Sequence, residues 1–346
     1  MTSTSNTKRL LYFPPTLILF FWGYLQFLIT GKSSTLSYKS LRFLHVITNC
    51  KFNNFMNAII GFFRPYNQQN KAQIQSVLGK FENAKIDEIV HSIQKDGYYI
   101  FEEKLNEKTI NEILQFAKNT PVSKMEKLGK YSTEKYIIGN NPEIQSPRYQ
   151  FHNTDLFACN ALNNVIFDEL FLTISAKYLK CIPIFDYFLM WWSFPFQGKL
   201  ANDAAQLYHY DMDRIKFLKF FFYITDVNTD NGPHCFVKHS HIDKPNKVRK
   251  DGRISDEEIN KYCKAENILE INGVKGTVIA VDTIGFHKGK SLNNGSRLLF
   301  QLLYSNSLFG QMYYKEKLPK ELYTQYQDFI DTNIKSFDQT FEIPNK

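Results

Sequence analysis

Apolar residues change their spacing along this chain, and the changes divide it. Residues 10–30 are almost continuously apolar and aromatic, interrupted by Pro14-Pro15 and Gln26. Proline suits a first helical turn. A helix starting there predicts only about 15 residues before Gly31, roughly 22 Å at 1.5 Å per residue, which is short for a bilayer crossing. Further on, Leu44, Ile47, Phe52, Phe55, Met56, Ile59 and Phe63 recur near helical spacing beside Lys39, Arg42, Lys51 and Arg64. A basic amphipathic pattern of this kind fits a membrane interface or a core-facing helix. Residues 65–71 are polar and read as a linker. The pattern therefore predicts an apolar, basic helical segment at 1–75 and a second unit at 76–346.

In that second unit Ile86, Ile89, Val90 and Ile93 give the i, i+3, i+4, i+7 face of a helix that stops at Gly97. Residues 98–105 read as a strand. Asn106 can cap a helix whose apolar face is Ile110, Ile113, Leu114 and Ala117. Residues 120–164, punctuated by Gly, Asn and Pro, read as long loops around a site, and 167–179 as a helix. Strand-like runs then follow at 187–195, 206–210, 216–227, 235–238, 276–282 and 297–305, separated by turn residues such as Asn231-Gly232-Pro233 and Asn293-Asn294-Gly295. Short strands without long intervening helices indicate a sandwich, barrel or jelly roll. A helical insert near 253–265 carries a Ser255/Glu258 capping box, and the tail from 318 to 341 reads as helical. The predicted fold is mainly β with flanking helices, around a jelly-roll (double-stranded β-helix) core.

Composition narrows the class. Of 346 residues, 43% are hydrophobic and 22% charged, a globular balance. The formal charge of +8 suits an acidic partner, a membrane surface or an anionic substrate. The lysines are scattered and no Arg-rich block occurs, which argues against nucleic acid. Five cysteines, widely separated and without C-x-x-C, argue against a disulfide framework or a structural zinc knuckle. They point instead to reduced thiols in a cytoplasmic setting. Membrane contact through residues 10–63 stays open, as an anchor, an interfacial helix or a helix buried against the second unit.

The chemistry centres on His209-Tyr210-Asp211. An extended backbone turns residues i and i+2 to one side, so an imidazole nitrogen and a carboxylate oxygen converge there. A second histidine from another strand would complete a 2-His-1-carboxylate triad, which holds Fe(II) and leaves coordination positions open. After His241 the chain offers one histidine, His287. A second H-x-D, His241-Ile242-Asp243, has little strand between it and His287, whereas three strand runs separate Asp211 from His287. The first pair is therefore preferred. Arg297 shares a strand face with Leu299, Gln301 and Leu303, where it can grip a carboxylate bidentately. Lys219, on the Phe217/Phe221/Tyr223 face, is its rival. His234, Cys235, His239 and His241 cluster but lack a fourth ligand at zinc spacing; His241 is expected to line the same pocket as a supporting or co-substrate contact. His45, His91 and His152 read as structural.

These residues resemble the phytanoyl-CoA dioxygenase family of Fe(II)/2-oxoglutarate oxygenases over roughly residues 95–305. The resemblance runs through Asp96-Gly97-Tyr98-Tyr99-Ile100, His209-Tyr210-Asp211, Thr225-Asp226-Val227, Asn231-Gly232-Pro233, Lys238-His239-Ser240-His241, His287 and Arg297. The family usually has Gly-Ser-His where this chain has His239-Ser240-His241, a departure that falls on a tight turn. The resemblance implies that His209, Asp211 and His287 bind iron and that Arg297 holds the distal carboxylate of 2-oxoglutarate, with O2 as the other co-substrate. The family acts on very different substrates, so membership leaves the substrate open. Asp211 fills the position a halogenase leaves vacant for halide, which favours hydroxylation. Arg148, Tyr149, His152, Trp191 and Trp192 are the expected substrate contacts, and the aromatic pocket suits a lipid-like small molecule. Two rival readings are a membrane-associated, non-catalytic jelly-roll scaffold and a cupin-like metalloenzyme without 2-oxoglutarate.

Overall fold

The computed structural model describes residues 6–67, 71–127, 129–197 and 206–344. Three helices open the chain: α1 (Asn6–Thr30), α2 (Thr35–Thr48) and α3 (Lys51–Phe63). Rather than starting at the prolines, α1 runs through Pro14 and Pro15 and is 25 residues long. Both prolines are exposed, so the main-chain donors they lack are missing from the solvent side, where the loss is least costly. The stripe Phe13, Leu17, Phe20, Tyr24 and Phe27 packs inward. Gly23 permits a close crossing with α2, since a Cβ there would lie 2.1 Å from Ser37 Cβ. In α3, Asn53 Nδ2 donates to the Ile215 carbonyl at 2.8 Å and Asn57 Nδ2 to that of Leu179 at 3.0 Å. Phe20, Leu44 and Met56 thereby join Ile89, Phe171 and Phe300 in one apolar core. The expected linker at 65–71 falls partly outside the described residues.

A hairpin follows, β1 (Gln73–Ser76) with β2 (Gly79–Glu82), then α4 (Asn83–Asp96), which ends at Gly97 with φ +90°. Beyond it come β3 (Tyr98–Ile100) and α5 (Glu107–Asn119), capped as expected by Asn106 Oδ1 accepting from Thr109 N at 2.9 Å. Residues 120–164, expected as loops, instead supply β4 (Val122–Lys127), β5 (Lys130–Tyr136) and β6 (Arg148–Phe151), with the short helices α6 (Asn153–Leu156) and α7 (Asn160–Ile166). Those strands are half-exposed and polar, so no clean alternation marks them. Next are α8 (Glu169–Leu179), β7 (Ile184–Ser193), β8 (Phe217–Tyr223), β9 (His234–Val237), α9 (Asp256–Tyr262), β10 (Ile268–Ile271), β11 (Val278–Val281), β12 (His287–Gly289) and β13 (Arg297–Ser305). The Ser255/Glu258 capping box of α9 is present. In the tail, three short helices lie between β14 (Glu316–Lys317) and β15 (Phe341–Glu342), which pair in parallel.

The strands form an eight-stranded antiparallel sheet, in the order β3-β11-β8-β13-β7-β6-β4-β5, and a smaller sheet, β10-β9-β12. This is the jelly-roll core. One face of the large sheet, with Phe220, Phe222, Phe300 and Trp192, packs on the helices. The opposite face, with Trp191, Phe221, Tyr223, Ile279 and Leu299, packs on Phe236 and Ile271 of the small sheet. Period-2 alternation assigns each residue to one side, and the space between the sheets becomes the site.

Candidate metal centre

Residues 206–210, expected as a strand, form only isolated bridges, Tyr208 with Ile254 and His209 with His287. The second bridge is reciprocal: His209 N donates to the His287 carbonyl at 3.0 Å and His287 N to that of His209 at 2.8 Å. Residues so paired across antiparallel chains face the same side, and the two rings sit with centroids 4.3 Å apart. Two residues on, Asp211 N donates to the Thr283 carbonyl at 2.8 Å, which holds the segment extended. Asp211 therefore shares the side of His209. Its oxygens lie 3.6 Å from His209 Nε2 and 3.5 Å from His287 Nε2, and one ligand atom from each of the three residues falls within 4.8 Å of the others.

The donor set suits a divalent metal. His209 Nδ1 is 3.0 Å from the Leu207 carbonyl and His287 Nδ1 is 3.0 Å from that of Gly285. A carbonyl only accepts, so each Nδ1 carries the proton and each Nε2 lone pair is turned toward Asp211. Burial holds His209 down at about 4 against the pull of Asp211, and holds His287 well below its usual value. Both imidazoles are therefore neutral at pH 7, as metal ligation requires. Burial alone would raise the Asp211 carboxyl, but the Lys219 ammonium, 2.6 Å from Oδ2, outweighs it and keeps it ionised.

Arg297 is the first residue of β13, 6% exposed, opposite Ser193 of β7. Its Nη2 donates to Ser193 Oγ at 3.3 Å, while Nε and Nη1 have no partner among the described residues. Burial lowers this guanidinium to about 10, with Arg148 adding to the effect. It stays charged at neutral pH and has no counter-anion among the described residues. A buried cation with free, planar donors is a receptor for a carboxylate. Lys219 is differently placed: its Nζ donates to Asp211 Oδ2 at 2.6 Å, so its charge is already engaged by the triad.

His241 does not line this space. It faces a recess of about 510 Å³ with Asn54, Asn57, Gln94, Tyr178 and Lys216, its Nε2 3.0 Å from the Gln94 carbonyl. Position 239, where the family usually has glycine, keeps the left-handed turn with φ +64°, and the ring is tied by Nδ1 to the Lys95 carbonyl at 2.9 Å. The expected substrate contacts divide by strand face. Arg148 lies on β6, not in a loop, with its guanidinium 4.1 Å above the Trp191 ring on the inner face. Tyr149 and Trp192 point into the helix-side core, and His152 is exposed on Thr154 Oγ1. His234, grouped by spacing with Cys235, His239 and His241, instead stacks its ring on His287 at 5.5 Å and 19° and rests on Phe221 at 4.9 Å. The pairing of β9 with β12 brings it there, and no local pattern in the sequence marks that pairing.

The phytanoyl-CoA dioxygenase (PhyH) family model matches residues 93–298, more than half of the chain, from the last turn of α4 to the start of β13. The chain belongs to this family. It is accordingly a non-haem, Fe(II)- and 2-oxoglutarate-dependent oxygenase, with O2 as the oxidant. Among solved structures it is similar to the alpha-ketoglutarate-dependent epimerase SnoN from nogalamycin biosynthesis, at 12% identity over 65% of this chain and 84% of that one, with a TM-score of 0.45. It is also similar to HygX from Streptomyces hygroscopicus, crystallised with nickel, 2-oxoglutarate and hygromycin B, at 11% identity over 68% and 93%, TM-score 0.45. No curated protein matches. In this dioxygenase His287 lies on β12 of the small sheet, with His209 bridged to it, and Arg297 lies on β13 of the large sheet.

Proposed function

We propose that His209, Asp211 and His287 hold the Fe(II), that Arg297 binds the distal carboxylate of 2-oxoglutarate, and that the enzyme hydroxylates a C–H bond of a hydrophobic small molecule. The observation that carries the reading is the pairing of two Nε2 lone pairs and a carboxylate within 4.8 Å with a buried guanidinium that has two unpartnered donors. Together these are receptors for a metal and for a dicarboxylate.

Bound there, Fe(II) and 2-oxoglutarate supply O2 activation, with the co-substrate leaving as succinate and CO2 and the substrate gaining a hydroxyl group. The chain does the rest. The Leu207 and Gly285 carbonyls fix the tautomer of each histidine, and Lys219 fixes Asp211. Ser193 orients Arg297. Phe221, Tyr223, Ile279 and Leu299 line the inner face with apolar surface that excludes water, which strengthens charge interactions inside. Arg148 over Trp191 lies on the same face of the sheet as Arg297 and offers a cation–aromatic contact for substrate. Asp211 occupies the position a halide would need, which supports hydroxylation over halogenation.

The test is anaerobic titration with Fe(II) and 2-oxoglutarate, followed by the visible metal-to-ligand charge-transfer band. The band is expected in the wild-type protein and is lost in Asp211→Ala and His287→Ala. A folded protein that gives no band would favour the non-catalytic scaffold. A band and turnover that survive Arg297→Ala would favour a metalloenzyme independent of 2-oxoglutarate anchoring by this residue.

A further inference from the structure

The three N-terminal helices carry a surface that the oxygenase chemistry does not use. The inward stripe of α1 is closed, with Phe20 completely buried and Phe27 7% exposed. The opposite side is open and apolar: Ile18 is 70% exposed, Trp22 71%, Leu25 52%, Leu28 63% and Ile29 77%. From Leu10 to Gly31 there is no charged residue. Phe52 of α3 meets Phe20 and Phe21 with centroids 4.7 and 6.2 Å apart, so α3 continues the surface, with Phe55, Phe62 and Phe63 at 56%, 80% and 75% exposure. Past β13, Tyr313 bonds to the Gly31 carbonyl, which brings the exposed Met312 and Tyr314 to the end of α1. Soluble monomers rarely leave so much contiguous apolar side chain in water.

Charge identifies the occupant. Residues 1–67 contain Lys8, Arg9, Lys32, Lys39, Arg42, Lys51 and Arg64 and no aspartate or glutamate. This segment alone accounts for seven of the eight net positive charges of the chain. Lys32, Lys39 and Lys51 are exposed. A second copy of the chain would bring the same positive charge against itself, whereas an anionic lipid surface complements it.

We infer that the outer face of α1 and α3 docks the enzyme in the plane of an anionic membrane surface. The helix lies in the interface rather than crossing it. Its other side is built into the protein core, and its Gly23 is pressed against Ser37; a crossing would expose that stripe. The inference is independent of the iron chemistry.

The test uses the purified full chain with vesicles of phosphatidylcholine alone and of phosphatidylcholine with phosphatidylserine. Trp191 and Trp192 are 7% and 4% exposed, so a binding-dependent change in tryptophan emission reports Trp22. The chain is expected to float with the phosphatidylserine vesicles and shift Trp22 emission to the blue. Its bound fraction is expected to fall at least tenfold in Ile18→Glu/Ile29→Glu, whose positions face solvent, with an unchanged unfolding midpoint. Flotation with neither vesicle overturns the proposal, as does equal flotation with both. A dimer that the double substitution dissociates, without vesicle binding, assigns the face to a second copy. Should the double variant fail to fold, the comparison of the two vesicle types on the wild-type chain decides alone. The charge-transfer band is read on the same sample, so loss of membrane binding and loss of the oxygenase centre are told apart.

Discussion

Lys219 and Asp211 form a buried ion pair, Nζ to Oδ2 2.6 Å, inside the proposed metal centre. Asp211 raises the Lys219 ammonium despite its burial, and Lys219 is the strongest influence keeping Asp211 ionised against burial. Breaking a buried pair from one side strands the other charge, at a cost of about 3–5 kcal/mol. Lys219→Met is therefore expected to lose about that much in urea unfolding of the metal-free protein. Ni(II) should restore part of the loss by giving Asp211 another cation. A loss of the same size with and without Ni(II) would separate Asp211 from the metal.

Arg297 invites the opposite stability result. Its guanidinium is buried, with Nε and Nη1 unpartnered among the described residues, so Arg297→Gln removes a charge with no counter-anion there and is expected to leave metal-loaded stability unchanged or higher. Affinity for 2-oxoglutarate should fall about 100-fold, on the order of 3 kcal/mol for charge-assisted hydrogen bonds lost. Calorimetric titration of Ni(II)-loaded protein reads this directly. Undiminished 2-oxoglutarate affinity would move the anchor elsewhere.

His45 sits away from the triad on α2, 1% exposed, its Nε2 3.3 Å from Cys50 Sγ and its ring stacked on Tyr210 at 5.4 Å. Burial, then Lys244, holds it well below the usual imidazole value. Below about pH 6.5 the unfolded chain takes a proton here that the folded chain refuses, so acidification favours unfolding. Stability should decline from about pH 6.5 toward 5 with a slope of up to about 1.4 kcal/mol per pH unit from this residue. His45→Leu is expected to flatten that slope, measured by denaturant unfolding at successive pH values. An unchanged slope would mean that His45 is protonated in the fold.

Gly310 touches the segment that carries the ligands. Its φ is +130°, and a Cβ there would lie 2.1 Å from the Asp213 carbonyl oxygen, two residues past Asp211. Gly310→Ala combines backbone strain with a clash and should cost about 2 kcal/mol or more. Ni(II) affinity should weaken along with stability, because residues 209–213 must shift. Thermal unfolding and metal titration of the variant test both parts.

Much of the fold was legible because local physics wrote it twice. The helix at 86–96 had both its apolar face and its Gly97 stop, and α4 ends where expected. Asn106 and Ser255 acted as the caps they resembled. β13 occupies residues 297–305, the bounds its apolar run suggested, because a strand buried on both faces reads as a continuous apolar run. The half-exposed β4, β5 and β6 had no such pattern, and β10 and β12 are too short to show one. Their pairing comes from neighbours supplied by distant parts of the chain. The helix at 6–30 runs through its prolines, which lie exposed on the side away from the packed stripe of Phe13, Leu17 and Phe20.

By itself the sequence determined that His209 and Asp211 share a side, since that follows from an extended backbone two residues apart. It also determined where the positive charge and the uncharged apolar stretch lie, and which strands are buried. Tertiary structure decided the partners. The register between His209 and His287 brings the second imidazole into the triad, and β12 is only three residues long. The same closure gave Lys219 to Asp211 and left Arg297 Nε and Nη1 without a partner among the described residues, set Arg148 and Trp191 on the inner face, and sent His241 to another recess. Register between strands distant in the chain depends on how two whole sheets close on each other, and no local pattern of residues encodes that.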